Sequence, residues 1–178
     1  MKVCRQSSQK EIIRMVCKGW AIATLLAAIV AVAQQTPNPY QMPYPYGAPV
    51  SLDNAKKAAA AATAEATKNG WTVVVAIVDP DGTLIFYEKM DNTQLGSAEV
   101  AIDKARSAAL FKRPTKAFED LLGQGSEAAR YLKLGAAIPI EEGIPLVVGG
   151  KIVGAIGVSG GKSAQDAQCA QQGVNALK

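Results

Sequence analysis

The residues best placed to do chemistry lie near the C-terminus, in Ile156-Gly157-Val158-Ser159-Gly160-Gly161-Lys162-Ser163. A glycine turn entering a helix presents backbone N–H groups at the positive end of the helix dipole. With Lys162 beside them, these groups would attract a carboxylate or a phosphate. Gly157, Ser159, Gly160, Gly161 and Lys162 are therefore ligand-binding candidates. Asp166 joins them, three residues after Ser163, which is expected to open the helix. The alternative is a turn that needs its glycines only to change direction. The run Gly-Val-Ser-Gly-Gly-Lys-Ser lacks the glycine-to-lysine spacing of a nucleotide phosphate loop. Asp103 and Lys104 form a second candidate, on a segment otherwise rich in alanine. Paired with a carboxylate, Lys104 would make a pocket floor; a solvated helix face is the simpler expectation.

One absence bounds the chemistry. The chain of 178 residues contains no histidine, which removes Ser-His-Asp catalysis, histidine-based zinc sites and the commonest haem ligand. Two of the three cysteines, Cys4 and Cys17, lie in the first 33 residues, so the remainder has only Cys169 and no internal disulfide. Cys169 shares helical spacing with Ala170 and Val174 and is expected to be a buried, inert thiol. Asp79 and Asp81 belong to Asp79-Pro80-Asp81-Gly82, whose residues suit a type I turn better than a metal site.

The elements that would position these groups can be read in order. Ser51 caps an alanine-rich helix that ends at Asn69-Gly70. Trp71–Val78 is apolar on both faces, as in a central strand, and Thr83–Glu88 returns from the turn as its hairpin partner. Gly96-Ser97 opens a helix reaching Phe111, with a stripe of Ala98, Ala101, Ala105, Ala108 and Ala109. Two short helices follow, at Ala117–Leu122 and Ser126–Leu134. Ile144–Val148 and Ile152–Val158 flank Gly149-Gly150-Lys151 as a second hairpin. Glycines inside its second strand imply close approach of another backbone or a ligand. Short links within each strand pair favour an antiparallel sheet. The expected fold is therefore α+β: a profilin- or PAS-like three-layer domain, its central sheet flanked by helices.

The first fifty residues have another character. Lys2, Arg5, Lys10, Arg14 and Lys18 precede the apolar run Trp20–Val30 and the small-residue pattern Ala31-Val32-Ala33. This predicts a signal peptide, residues 1–33, cleaved after Ala33, and an exported protein, periplasmic or secreted. The apolar run is shorter than a membrane span requires, so no stable span is expected after cleavage. Five of the 19 basic residues and a single acidic one lie in this segment, which leaves the remainder formally neutral. A nucleic-acid partner, which needs a clustered basic face, is excluded on that ground. Residues 34–50 form a Pro/Tyr-rich linker, alternatively an arm docking on a partner through Tyr40, Tyr44 and Tyr46.

Three segments together resemble one known family. They are Gly70–Asp91, Gly96–Thr115 and Gly143–Gly173, and they resemble the GlcG/HbpS-like family, the domain of unknown function 336. The resemblance covers residues 51–178 and implies an α+β domain that forms homo-oligomers. It also implies a small-ligand-binding protein, with haem as ligand and a role in haem or iron sensing, protection or transport. Alternatives implied by the family's breadth are an enzyme or accessory protein acting on a small hydroxy or keto acid, through Asp103, Lys104 or Asp166, and a purely structural oligomer. Thr115, which follows a proline at the helix boundary, is the position implied for haem contact, with Arg113 beside it. Histidine being absent, Thr115, Cys169 and Met90 are the candidate iron ligands.

Overall fold

The computed structural model describes residues 44–178; the signal-peptide prediction and residues 34–43 of the expected linker lie outside the described residues. Helix α1 spans Leu52–Lys68, capped by the Ser51 hydroxyl, which accepts the Asn54 N–H. Strands β1 (Val74–Val78) and β2 (Leu84–Lys89) follow, then α2 (Ser97–Leu110), α3 (Lys116–Leu122) and a 3-10 segment, Ser126–Lys133. Strands β3 (Gly143–Val148) and β4 (Lys151–Ser159) and helix α4 (Ser163–Asn175) complete the fold.

The sheet is antiparallel throughout, in the order β2-β1-β4-β3. Alternate residues of a strand face opposite ways, and here both faces are covered. Val75, Ile77, Ile156 and Val158 pack against the alanines of α1 and against Cys169 and Ala170 of α4. Val74, Ala76, Val78 and Ala155 pack against Ala101, Ala105, Ala108 and Ala109 of α2. This explains why the β1 sequence is apolar at every position. The α+β three-layer expectation agrees with this architecture, terminal helices on one side and α2 on the other.

Small side chains set the layer spacing. A Cβ on Gly157 would meet the Ala101 carbonyl oxygen and lie 2.6 Å from the Ala105 nitrogen. The close approach expected in this strand is therefore to helix backbone. Gly149 and Gly150 have φ of 56° and 73°, left-handed values that glycine reaches without steric cost and that suit the tight turn between β3 and β4.

Three sequence expectations need correction. Strand β1 begins at Val74 and not at Trp71, although the Val73 carbonyl still accepts the Met90 N–H at 3.0 Å in continuation of the β1–β2 register. The segment expected as a short helix over Ser126–Leu134 is helical, but of the 3-10 type and ending at Lys133. The Pro/Tyr-rich segment is not a free linker to residue 50. Ile152 donates to Pro45 O at 2.9 Å, and Gly47 and Val50 donate to Ile152 O and Val153 O at 2.8 and 2.7 Å. Strand β1 ends opposite Ala155, so the first residues of β4 have an open ladder side, and residues 45–50 fill it. The Tyr46 hydroxyl donates to the Ala109 and Leu110 carbonyls at 2.9 and 3.1 Å. These carbonyls belong to the C-terminal end of α2, where helix geometry leaves acceptors without intrahelical partners. The Lys112 ammonium lies 4.1 Å from the Tyr46 ring centroid, within cation–π range.

Candidate functional site

Lys104 is the centre of a buried polar cluster. It sits on α2 three residues after Ala101, on the side of the helix that meets the sheet, and only 2 % of its surface is exposed. Its side chain passes the end of the sheet. There the ammonium donates to Glu142 Oε2 and, at 3.0 Å, to the Val158 carbonyl. Asp166 Oδ2 lies 3.9 Å away. Glu142 and Asp166 are themselves 1 % and 3 % exposed. The solvated-face expectation for Lys104 is thus overturned, and its pairing with carboxylates is what the fold displays.

The cluster holds two carboxyl groups and one ammonium in a dry setting. Glu142 Oε1 is buried with no hydrogen-bond partner among the described residues. Burial pushes the Glu142 carboxyl up from its ordinary 4.5 to about 7; the Lys104 hydrogen bond and charge oppose this, and Asp166 and Glu141 add to it. Desolvation outweighs the ion pair. Glu142 also has φ of 89°, a left-handed conformation uncommon for a residue with a side chain.

The glycine turn behaves differently from expectation. Asp166 Oδ2 accepts the Gly160 N–H at 3.1 Å and Oδ1 accepts the Gly161 N–H at 2.8 Å. The Lys162 N–H is taken by Gln165 Oε1 at 2.9 Å, so Lys162 occupies the cap position expected for Ser163. Donors that could cradle an external anion are thereby occupied from within the chain. Ser159 Oγ lies 3.2 Å from Ser97 Oγ, both buried, and Gly157 faces α2. Lys162 is exposed. The turn is closed to an outside ligand in this structure because an internal carboxylate already fills it.

The candidate iron ligands are also enclosed. Thr115 is fully buried; its N–H donates to Gly143 O at 3.0 Å and its hydroxyl oxygen accepts the Gly143 N–H at 2.9 Å. Cys169 is fully buried, and burial pushes its thiol up to about 11, with Asp166 and Glu65 adding to the effect. Met90 packs partly buried against the α1 side of the core. Arg113 lies over the Phe118 ring, its guanidinium carbon 5.5 Å from the centroid, and donates to Phe111 O at 3.1 Å.

An open cleft of about 370 Å³ lies on the outer side of α2, lined by Asp103, Arg106 and Gly135–Ile138. Asp103 and Lys104 are adjacent in sequence yet serve different faces of the helix, one in the cleft and one in the core. Arg106 Nε donates to Gly82 O at 3.2 Å, tying the cleft to the β1–β2 turn. Sequence reasoning missed Arg106 and Glu142. No spacing rule marks either, since Arg106 lies among polar helix residues and Glu142 in a loop.

A buried ion cluster at the end of a two-sided antiparallel sheet, with a cleft on α2, defines a small α+β domain with capacity for a ligand. The chain belongs to the HbpS-like family, described as haem degrading protein HbpS-like, whose model matches residues 50–175. It is 39% identical to protein GlcG of Escherichia coli K12 over 100 residues, which is 56% of this chain and 73% of that protein. Among solved structures it is similar to a double mutant of Streptomyces reticuli HbpS, with a TM-score of 0.67 and 32% identity, covering 74% of this chain and 89% of that one. A PduOC:haem complex gives a TM-score of 0.66 and 28% identity, covering 73% and 96%.

Proposed function

We propose that this protein is an exported binding protein for haem or a similar planar anionic ligand, acting in haem or iron sensing, protection or transport, and that it works as a homo-oligomer. The observation that carries this is the fold shared with the PduOC:haem complex, within a family described by its haem chemistry. The residues present fit the anionic edge of a haem better than its iron. Arg106, in the open cleft, is suited to a propionate. Thr115 and Cys169 do not present an oxygen or sulfur to a ligand in this conformation.

Haem titration of the protein followed by absorbance tests the proposal, with Arg106→Ala and Thr115→Ala run alongside. Saturable binding with a shifted Soret band, weakened several-fold by Arg106→Ala, is expected. Absence of a saturable shift in the parent protein would sink the haem reading. A screen of small hydroxy and keto acids against the same cleft would then take its place.

A further inference from the structure

The loop from Gly135 to Glu142 contributes Gly135–Ile138 to one wall of the cleft, and it is pinned at successive points. Ile138 N–H donates to the buried Ser107 hydroxyl at 3.1 Å, and Glu141 N–H donates to Glu119 Oε2 at 2.9 Å. Glu142 then meets Lys104, its carbonyl accepts the Val158 N–H at 3.3 Å, and Gly143 makes its paired bonds with Thr115. The pin made by Lys104 is also the one with unbalanced charge. With both carboxyls ionised the Lys104–Glu142–Asp166 cluster carries a net negative charge inside the protein, and Glu142 Oε1 has nothing to offset it among the described residues. A buried charge without full compensation is costly. One proton makes the cluster neutral. Asp166 is committed to the Gly160 and Gly161 amides, which leaves Glu142 as the group that takes it.

We propose that Glu142 is a proton-binding site whose occupancy holds the loop Gly135–Glu142 closed beside the cleft, and whose deprotonation favours release of the loop. The groups acting on Glu142 are Lys104 from α2, Asp166 from α4 and Glu141 from its own loop. The sign runs opposite to an ordinary surface ion pair: the loop is tightest in acid and loosens as the pH rises from about 4.5 to about 7, where the closed form loses the proton as well. Strain at the left-handed Glu142 backbone would be relieved by the same opening. This inference does not rest on haem, since loop opening is read without any ligand.

The test is amide hydrogen exchange on the full protein, expressed as protection factors so that the intrinsic pH dependence of exchange is removed. Protection at Glu141, Gly143 and Thr115 should fall on the order of tenfold or more between about pH 5 and about pH 7. Amides of β1 should not follow. In Glu142→Gln, a neutral isostere, the fall should vanish. Asp166→Asn provides an independent arm, because it removes one negative charge and should lower the proton affinity of Glu142, leaving a smaller fall over the same range. Flat protection in the parent protein would overturn the proposal. An undiminished fall in both variants would do the same.

Discussion

Asp166 and Gly161 are joined by a 2.8 Å hydrogen bond in which the carboxylate accepts the turn's own N–H. With the second bond to Gly160, the carboxylate occupies the place where an external anion would sit. The anion-binding character of the turn is real, and the chain satisfies it internally.

Asp166→Ala should therefore destabilise the protein by about 3 kcal/mol, since it strips a buried network of one partner. It should also create a binding site. Sulfate or phosphate at millimolar concentration is expected to raise the melting temperature of the variant by several degrees beyond its effect on the parent. Equal effects on the two proteins would show that the turn does not open to anions when Asp166 is removed.

Gly157→Ala should be among the most damaging single-methyl changes in the fold. Its Cβ would meet backbone of α2 at Ala101 and Ala105, which cannot swing aside as a side chain can. A loss of about 3 kcal/mol is expected from chemical denaturation. Gly135→Ala, where a Cβ meets nothing within 4 Å, should change stability by less than about 0.5 kcal/mol. Similar losses at the two sites would remove the packing explanation.

The contrast between these glycines also shows what is legible in the sequence. Periodicity and turn chemistry are local, so both hairpins, the Ser51 cap and the alanine faces of α1 and α2 can be read from the residue order alone. Glycines within β4 announce close approach, yet the pattern does not say whether backbone or ligand fills the space. The Lys104 cluster is harder, because Glu142 lies 38 residues from Lys104 in the chain and no local pattern records such a meeting. Asp166 has the spacing of a capping residue, but its two oxygens reach back to Gly160 and Gly161, and Gln165 takes the cap instead. Tyr46 sits in a proline-rich stretch whose composition suggests a linker. Its role comes from the open ladder side of β4, which only the register reveals.

Tyr46→Phe isolates that role. The ring and its contact with Lys112 remain, while the donor to the Ala109 and Leu110 carbonyls is lost. A destabilisation of about 1 kcal/mol is expected in urea denaturation, and the amides of Gly47 and Val50 should exchange faster. Unchanged stability would mean that water serves the end of α2 equally well.

The pH dependence of global stability gives a further prediction from Glu142. Its folded carboxyl stands near 7 and its ordinary value is 4.5. Between those values the unfolded chain releases a proton that the folded protein retains. Stability from this group is therefore fully present below about pH 4.5, and falls as the pH rises to about 7. The difference in unfolding free energy between the parent and Glu142→Gln cancels most other titrations. From about pH 4.5 to about pH 8 it should move against the parent by about 3 kcal/mol. A conventional Lys–Glu salt bridge predicts the reverse slope, with the parent gaining as its carboxylate ionises. The sign of that difference curve alone decides whether desolvation or ion pairing governs the cluster around Lys104.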